Sequence, residues 1–568
     1  MSGSVARVIL PGLVMASLLA IPTAAVAVPT TWQVRAGAQG GDGTVARPFG
    51  SLAEVEQASS PGDRIVVQAS TTPLDGGIAL QPGQTLAGDG TAVSGDGGAP
   101  TLTNSTTRLD GDAVRLADRT TVTGLRIVDA RRGAVYGVDV SGVVVRGNDV
   151  SGQNSSCTPG FLIPAFNAPT NVPGVGIPIS DGLQNGWAGI MVDSRSRTDV
   201  TATITGNEVH DAECGDGIDV RTFGASQATA TISDNDVHHL RQGPDFESIL
   251  AIGLQTSDTS RLTAVVDRNT QADLGNEDDL NLIVEGADSE GVFVNGVGPS
   301  RLHATITHNT YTNARGLGGF SANGLEMVTM GKGSHVTTIV RDSSFSGSPG
   351  DVIEEGALGT DARLKMVLER VTAERSTGVG NTFVVPFNNG DCLLAGSLGA
   401  RNDVELTVRD SALRECSNNG LSVGSNVVNG SGSTKRIAVD VDRATITGNR
   451  GGNLAIRNFT GLDELSVKVQ RSNLAGSSSV GSSIADFAAE DLGRTTSSRL
   501  DIGGGSLGSV GGNCLRGGLF AAEVTRYRVS ARHNWWGRPG GPGLLRAINL
   551  GGSLDTSSPL SSRPAYCG

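Results

Sequence analysis

Between residues 189 and 309 one short pattern returns four times with the same internal spacing, and this repetition limits the fold more than any other property of the chain. Gly189-Ile190-Met191-Val192 leads to Thr203-Ile204-Thr205-Gly206-Asn207, and Gly217-Ile218-Asp219-Val220 leads to Thr231-Ile232-Ser233-Asp234-Asn235. The separation from the first aliphatic residue to the Asn recurs from Ile252 to Asn269 and from Val292 to Asn309, and looser copies begin at Leu325, Ile353, Leu393, Leu421, Leu454, Ile484 and Leu515. Each copy alternates apolar and polar residues with period two, the mark of a half-buried strand. No segment between copies has the length or the 3.6-residue period of a crossover helix, so successive strands must be joined by coiling. A chain that winds through short strands and stacks each coil on the last, about 4.8 Å away, satisfies its backbone between coils. Aromatic residues make up only 4% of the chain, so stacked Ile, Val and Leu must form the core, each contributing roughly 1.5–3 kcal/mol when fully buried. Earlier coils are visible at Ala113 to Leu116, Val122 to Val128, Ala134 to Val140 and Val143 to Val145. Ser51 as N-cap with Glu54 three residues on predicts a short helix to Ala58 that closes the open end of the stack.

At this point the chain resembles a family. Gly43-Thr44 to Pro48-Phe49 with Ser51-Leu52, then Pro61-Gly62-Asp63 and Ile65-Val66-Val67, is similar to the opening of secreted right-handed parallel β-helix proteins of the pectin-lyase-like superfamily. Asn534-Trp535-Trp536-Gly537 with Gly541-Pro542 is similar to the last coil of many of them. The resemblance implies an all-β right-handed parallel β-helix and a preference for polysaccharide laid along its outside. The expected layout is a signal peptide at 1–27, an N-terminal cap and first coils at 28–110, the parallel β-helix at 111–545 and a C-terminal tail at 546–568.

Arg7, the apolar run Val8 to Ile21 and the small-residue site Ala25-Val26-Ala27 read as a secretory signal with a mature start near Val28. No stretch is long enough to predict a membrane span, so a secreted or cell-surface location is expected. A net charge of -13 with no Lys/Arg cluster argues against nucleic acid as a partner. In an oxidising compartment six cysteines suggest three disulfides. Proximity favours Cys157 with Cys214, Cys392 with Cys416 and Cys514 with Cys567, among about 15 possible pairings.

The superfamily hosts several activities, so the fold alone cannot choose one. Galacturonan hydrolases of this fold carry a His-Gly and an Arg-Ile-Lys, and this chain has neither. Gly215-Asp216-Gly217-Ile218-Asp219 and Asp278-Asp279 resemble parts of their motif, but no role transfers. The recurring Asp216, Asn323, Asp351, Asp391, Asn419 and Asn513 read as turn residues that stack into ladders. The same holds for Asn207, Asn235, Asn269 and Asn309. His238-His239 reads as a surface or turn feature, and Gly504-Gly505-Ser506-Leu507-Gly508 as a chance match to the GxSxG hydrolase pattern.

Stacking the copies in register yields one outward row: Met191, Asp219, Gly253, Phe293, Glu326, Glu354, Leu394, Ser422 and Ala455. Glu326 and Glu354 then stand on neighbouring coils as the candidate catalytic pair, where like charges invite a cation, a basic group or a shared proton. Asp351 and Glu355 are the nearby candidates to join them around Ca²⁺; no other cofactor is suggested. Loops at 270–291 and 372–392 would wall a cleft floored by Glu354. The longest loop, Gly152 to Gly186, holds Cys157, Phe161, Phe166 and five prolines, with Trp187 directly after. It reads as a cover packed over the helix side, with an aromatic surface for sugar rings as the alternative. Asp219 and Trp187 complete the binding candidates. Three functions stay open: a polysaccharide-contacting protein, a polysaccharide lyase or glycoside hydrolase, and a structural adhesin. Oligomeric state has no signal here.

Overall fold

The computed structural model describes residues 28–93, 98–169, 175–243, 246, 248–275, 288–313, 322–377, 390–429, 432–478, 485–517, 519–543 and 546–567. The segment 1–27, Asp278-Asp279 and much of both expected cleft walls lie outside the described residues. The chain coils through three long sheets of 17, 11 and 17 strands among the described residues, here called sheets 1, 2 and 3. One full coil runs Ile218–Thr222 in sheet 3, Gln227–Ser233 in sheet 1 and Asp236–Leu240 in sheet 2. The next coil pairs with it in parallel at every position, Ile218 with Ile252, Ala228 with Leu262 and Val237 with Gln271. Inward side chains of all three sheets merge into one aliphatic core that reaches from Val34 to Trp536.

Two polar columns fasten the coils at their corners. Asn148, Asn207, Asn235 and Asn269 each donate a side-chain amide hydrogen to the next Asn in the series, the last to Asn309, at 2.9–3.0 Å. Each of those carbonyl oxygens also accepts the backbone N–H of the preceding Asn. On the entry to sheet 3, Asp216 accepts from Leu250 N, Asp351 from Asp391 N, Asp391 from Asn419 N and Asn419 from Gly452 N, at 2.7–2.9 Å. Both columns are the stacked turn residues expected from the repeat, and they satisfy backbone donors that a coil corner would otherwise leave buried.

The N-terminal end is closed by the helix Leu52–Ala58 with a complete Ser51–Glu54 capping box and with Leu52 and Val55 buried. The three disulfides join Cys157 to Cys214, Cys392 to Cys416 and Cys514 to Cys567, so nearest-neighbour pairing holds. The last ties Cys567 back to the coil of Cys514, and Ala547–Leu550 and Ser553–Asp555 extend sheets 3 and 1.

Candidate functional site

The outward face of sheet 3 is covered along much of its length. Pro159–Ile163 pairs antiparallel with Leu183–Gly186, and Phe166–Pro169 with Gly176–Ile179. Phe161 is fully buried and meets Phe293 edge to face at 5.8 Å, in a second apolar cluster with Leu250, Val328, Met330, Leu394 and Leu398. The described part of the Gly152 to Gly186 segment is therefore a cover, with Phe161 and Phe166 packed in that cluster. Proline-stiffened chain loses less entropy when it is ordered this way.

On the same face the outward row runs in the expected register, with Asp219 opposite Gly253, Phe293 opposite Glu326, Glu326 opposite Glu354 and Glu354 opposite Leu394. Glu326 and Glu354 are buried on the same side of adjacent parallel strands. One amide reaches both: Asn323 Nδ2 lies 3.4 Å from Glu326 Oε2 and 3.4 Å from Glu354 Oε2. These two oxygens are thus at most about 7 Å apart, close enough for one ligand to meet both carboxylates. Asp351 sits on the coil of Glu354 with its Oδ1 committed to Asp391 N at 2.7 Å.

Glu355 corrects one expectation. Period two turns it to the opposite face from Glu354, into the core between Met327 and Ala395, where it is fully buried. Loss of hydration, with repulsion from Glu405 second, pushes its carboxyl well above the usual range. It cannot join Glu354 on one ion across the strand. Among the described residues no group of three or more His, Cys, Asp or Glu side chains is placed to hold a metal.

Asp219 and Trp187 lie farther along the face, in a cluster that sequence reasoning reached only in part. Asp193 is fully buried and accepts a two-pronged contact from Arg221 at 2.8 and 2.9 Å, with Arg195 Nη2 at 2.9 Å and the Tyr136 hydroxyl at 3.1 Å. Arg221 also donates to Gly160 O at 2.6 Å, and Gln255 donates to Leu162 O at 3.0 Å, so two sheet side chains pin the cover's backbone. Trp187 carries Arg132 over its face at 4.1 Å and the Tyr136 edge at 5.1 Å. Its ring packs against these groups and also lines the cleft beside them. Asp219 is fully buried, its carboxylate lodged where a side chain on Gly253 would stand. Desolvation raises its pKa to about 7, against the opposing pull of Arg221. Beside this cluster Gly160, Leu162, Arg195, Phe223 and Gln255 line an open cleft of about 460 Å³. Asp193 and Arg221 share the row two residues beyond Met191 and Asp219, and that row could have been read from the same register.

The Gly504 to Gly508 segment is a turn wrapped around Asp501, which accepts the amides of Gly505 and Leu507 at 2.9 Å. No helix of the described residues is long and apolar enough to cross a membrane.

No family model and no curated protein sequence matches the chain. Solved structures with a similar course include the A-module of the Azotobacter vinelandii mannuronan C-5 epimerase AlgE4, at 11% identity over 93% of this chain and 100% of that one, with a TM-score of 0.29. A GH136 lacto-N-biosidase from Eubacterium ramulus is 13% identical over 66% of this chain and 68% of that one, with a TM-score of 0.31. Pectate lyase Pel9A is 10% identical over 95% and 80%, with a TM-score of 0.21. Values this low assign neither an activity nor a residue. The pairing of its own sheets gives the chain its architecture: a right-handed parallel β-helix.

Proposed function

We propose that this is a secreted protein that contacts polysaccharide on the outer face of sheet 3, at the place where Glu326 and Glu354 stand side by side. The observation that carries this reading is the pair itself: two carboxylates in register on adjacent strands, both within reach of the Asn323 amide. Carboxylates placed in such pairs can bind sugar hydroxyls or share protons with a ligand. The same spacing favours a second reading, cleavage of the bound glycan, with one carboxyl as acid and the other as base or nucleophile. Ca²⁺ is the ion to add and withdraw in testing either.

The experiment is a polysaccharide panel read in two ways. Glycan-array or calorimetric binding tests contact, while reducing-end release and absorbance of unsaturated products at about 235 nm, the signature of proton removal next to a uronate carboxylate, test turnover. Binding that is lost in both Glu326→Gln and Glu354→Gln supports the first reading, and turnover lost in both supports the second. Variants that bind and cleave whatever the parent does would reduce both residues to parts of the scaffold.

A further inference from the structure

The outer face of sheet 2 gathers titratable groups that the acid pair on sheet 3 does not involve. Parallel pairing aligns Ser151, His210, His238 and Ala272 on successive coils. The rings of His210 and His238 stack at 5.2 Å and 17°. His239 would point away from its neighbour in an extended strand, but it adopts a left-handed φ of 54°, and its ring comes to rest 4.8 Å from that of His238 at 81°. The residues at the same corner on the adjacent coils, Asp211 and Asp273, share this conformation with φ of 52° and 55°, which His, Asp and Asn adopt more readily than most residues.

The partners determine which nitrogens carry hydrogen. His210 is saturated: its Nε2 meets Asp149 Oδ1 at 3.1 Å and its Nδ1 meets Asp211 Oδ2 at 2.8 Å. The bond to Asp149 raises its pKa to about 9 against the cost of desolvation, and Asp211 adds to the rise. With a carboxylate at each ring nitrogen, His210 has no lone pair to offer. In the other two rings the outer nitrogens face carboxylates, His238 Nε2 to Glu208 Oε1 at 3.4 Å and His239 Nε2 to Asp273 Oδ2 at 2.9 Å. A carboxylate only accepts, so both Nε2 atoms carry hydrogen. Both Nδ1 atoms are left as acceptors, and they confront each other at 2.6 Å. Two lone pairs held so close require an electrophile between them, either a shared proton or a metal ion.

We propose that His238 and His239 bind a divalent transition-metal ion of the zinc, copper or nickel class through their Nδ1 atoms, with water completing the coordination. Neutral imidazole is the donor these ions prefer. A ring whose far N–H is held by a carboxylate is oriented and made more basic for that role, and Glu208 and Asp273 supply this to each ring. Bonds of about 2.0–2.1 Å at a tetrahedral angle would place the two nitrogens roughly 3.3 Å apart. The half-exposed His239 ring has room to give the needed shift. The stacked His210 ring holds His238 in place without being a ligand.

The test is a calorimetric titration of the untagged, chelator-treated full chain with Zn²⁺ and Ni²⁺ near neutral pH, together with anomalous scattering at the zinc edge. One ion per chain is expected, located between the two Nδ1 atoms. Binding should weaken at least tenfold in His238→Gln and in His239→Asn, the latter chosen because Asn tolerates the left-handed corner, and should match the parent in His210→Gln. No uptake, uptake unchanged in both ligand variants, or zinc density elsewhere would overturn the proposal and leave the pair sharing a proton only. Diffraction from the parent decides the question even if a variant fails to fold.

Discussion

Two stretches of one face treat buried charge in opposite ways. At Asp193 a fully buried carboxylate is met by two arginines and a tyrosine hydroxyl, and the arginine that neutralises it also grips the cover. Four and five coils on, Glu326 and Glu354 stand next to each other on the same face. Opposite charges in a matched network are what a scaffold needs to clamp one layer on another. The acid pair is instead the place proposed above for a ligand, held in register on adjacent strands.

The largest effect is expected at the clamp. Arg221→Met leaves Asp193 buried with only part of its partners and frees Gly160 O, and should cost about 3–5 kcal/mol in denaturant unfolding. Asp193→Leu combined with Arg221→Met should lose far less, since no charge is then stranded. If the double variant is as unstable as the single, the cluster is not a charge clamp and the contrast with the acid pair fails.

A smaller effect is expected from Glu355, the acid turned into the core. Its folded pKa is raised by burial above the ordinary 4.5, so the folded chain keeps a proton that the unfolded chain releases. Stability from this group is complete below about pH 4.5 and is lost as pH rises toward the folded value. Asp219, raised from 3.8 to about 7, acts in the same direction between those limits. The melting temperature should thus fall from mildly acidic to neutral pH, and Glu355→Gln should flatten part of that slope and add about 1–3 kcal/mol at neutral pH. A parent whose stability is level across this window would show that these acids are not held neutral.

The smallest effect sharpens the comparison most. Glu326→Gln and Glu354→Gln should each change stability by less than about 0.5 kcal/mol, level or slightly upward, because one like charge is removed. Each should nevertheless abolish ligand contact. A loss of several kcal/mol on neutralising either residue would place the pair with the clamp, as structure.

The winding, the register and the acid pair were all legible in the sequence, because a strict period of two lets counting substitute for coordinates. Counting also turns Glu355 inward, and it joined the outward set only because proximity along the chain was allowed to outrank alternation. The partners of Asp193 were hidden for a different reason: Tyr136, Arg195 and Arg221 reach it through side chains from separate strands, and no spacing encodes a rotamer. The stacked histidines fall between these cases. Asn207 pairs with Asn235 in the ladder, and His210 and His238 each follow their Asn by three residues. The repeat contained that contact, and histidine motifs sought along the chain rather than across coils overlooked it.

The asparagine column also bears on how such a molecule can change over generations. Each rung offers the coil before it the same carbonyl that it takes from the coil beyond, so a copied coil meets a neighbour it already fits. Duplication or deletion of a whole coil leaves every remaining rung matched, whereas gain or loss of a few residues inside a strand would break the series. Lineages of this protein should therefore differ by entire turns and by the lengths of loops at the corners, and seldom by small changes within a strand.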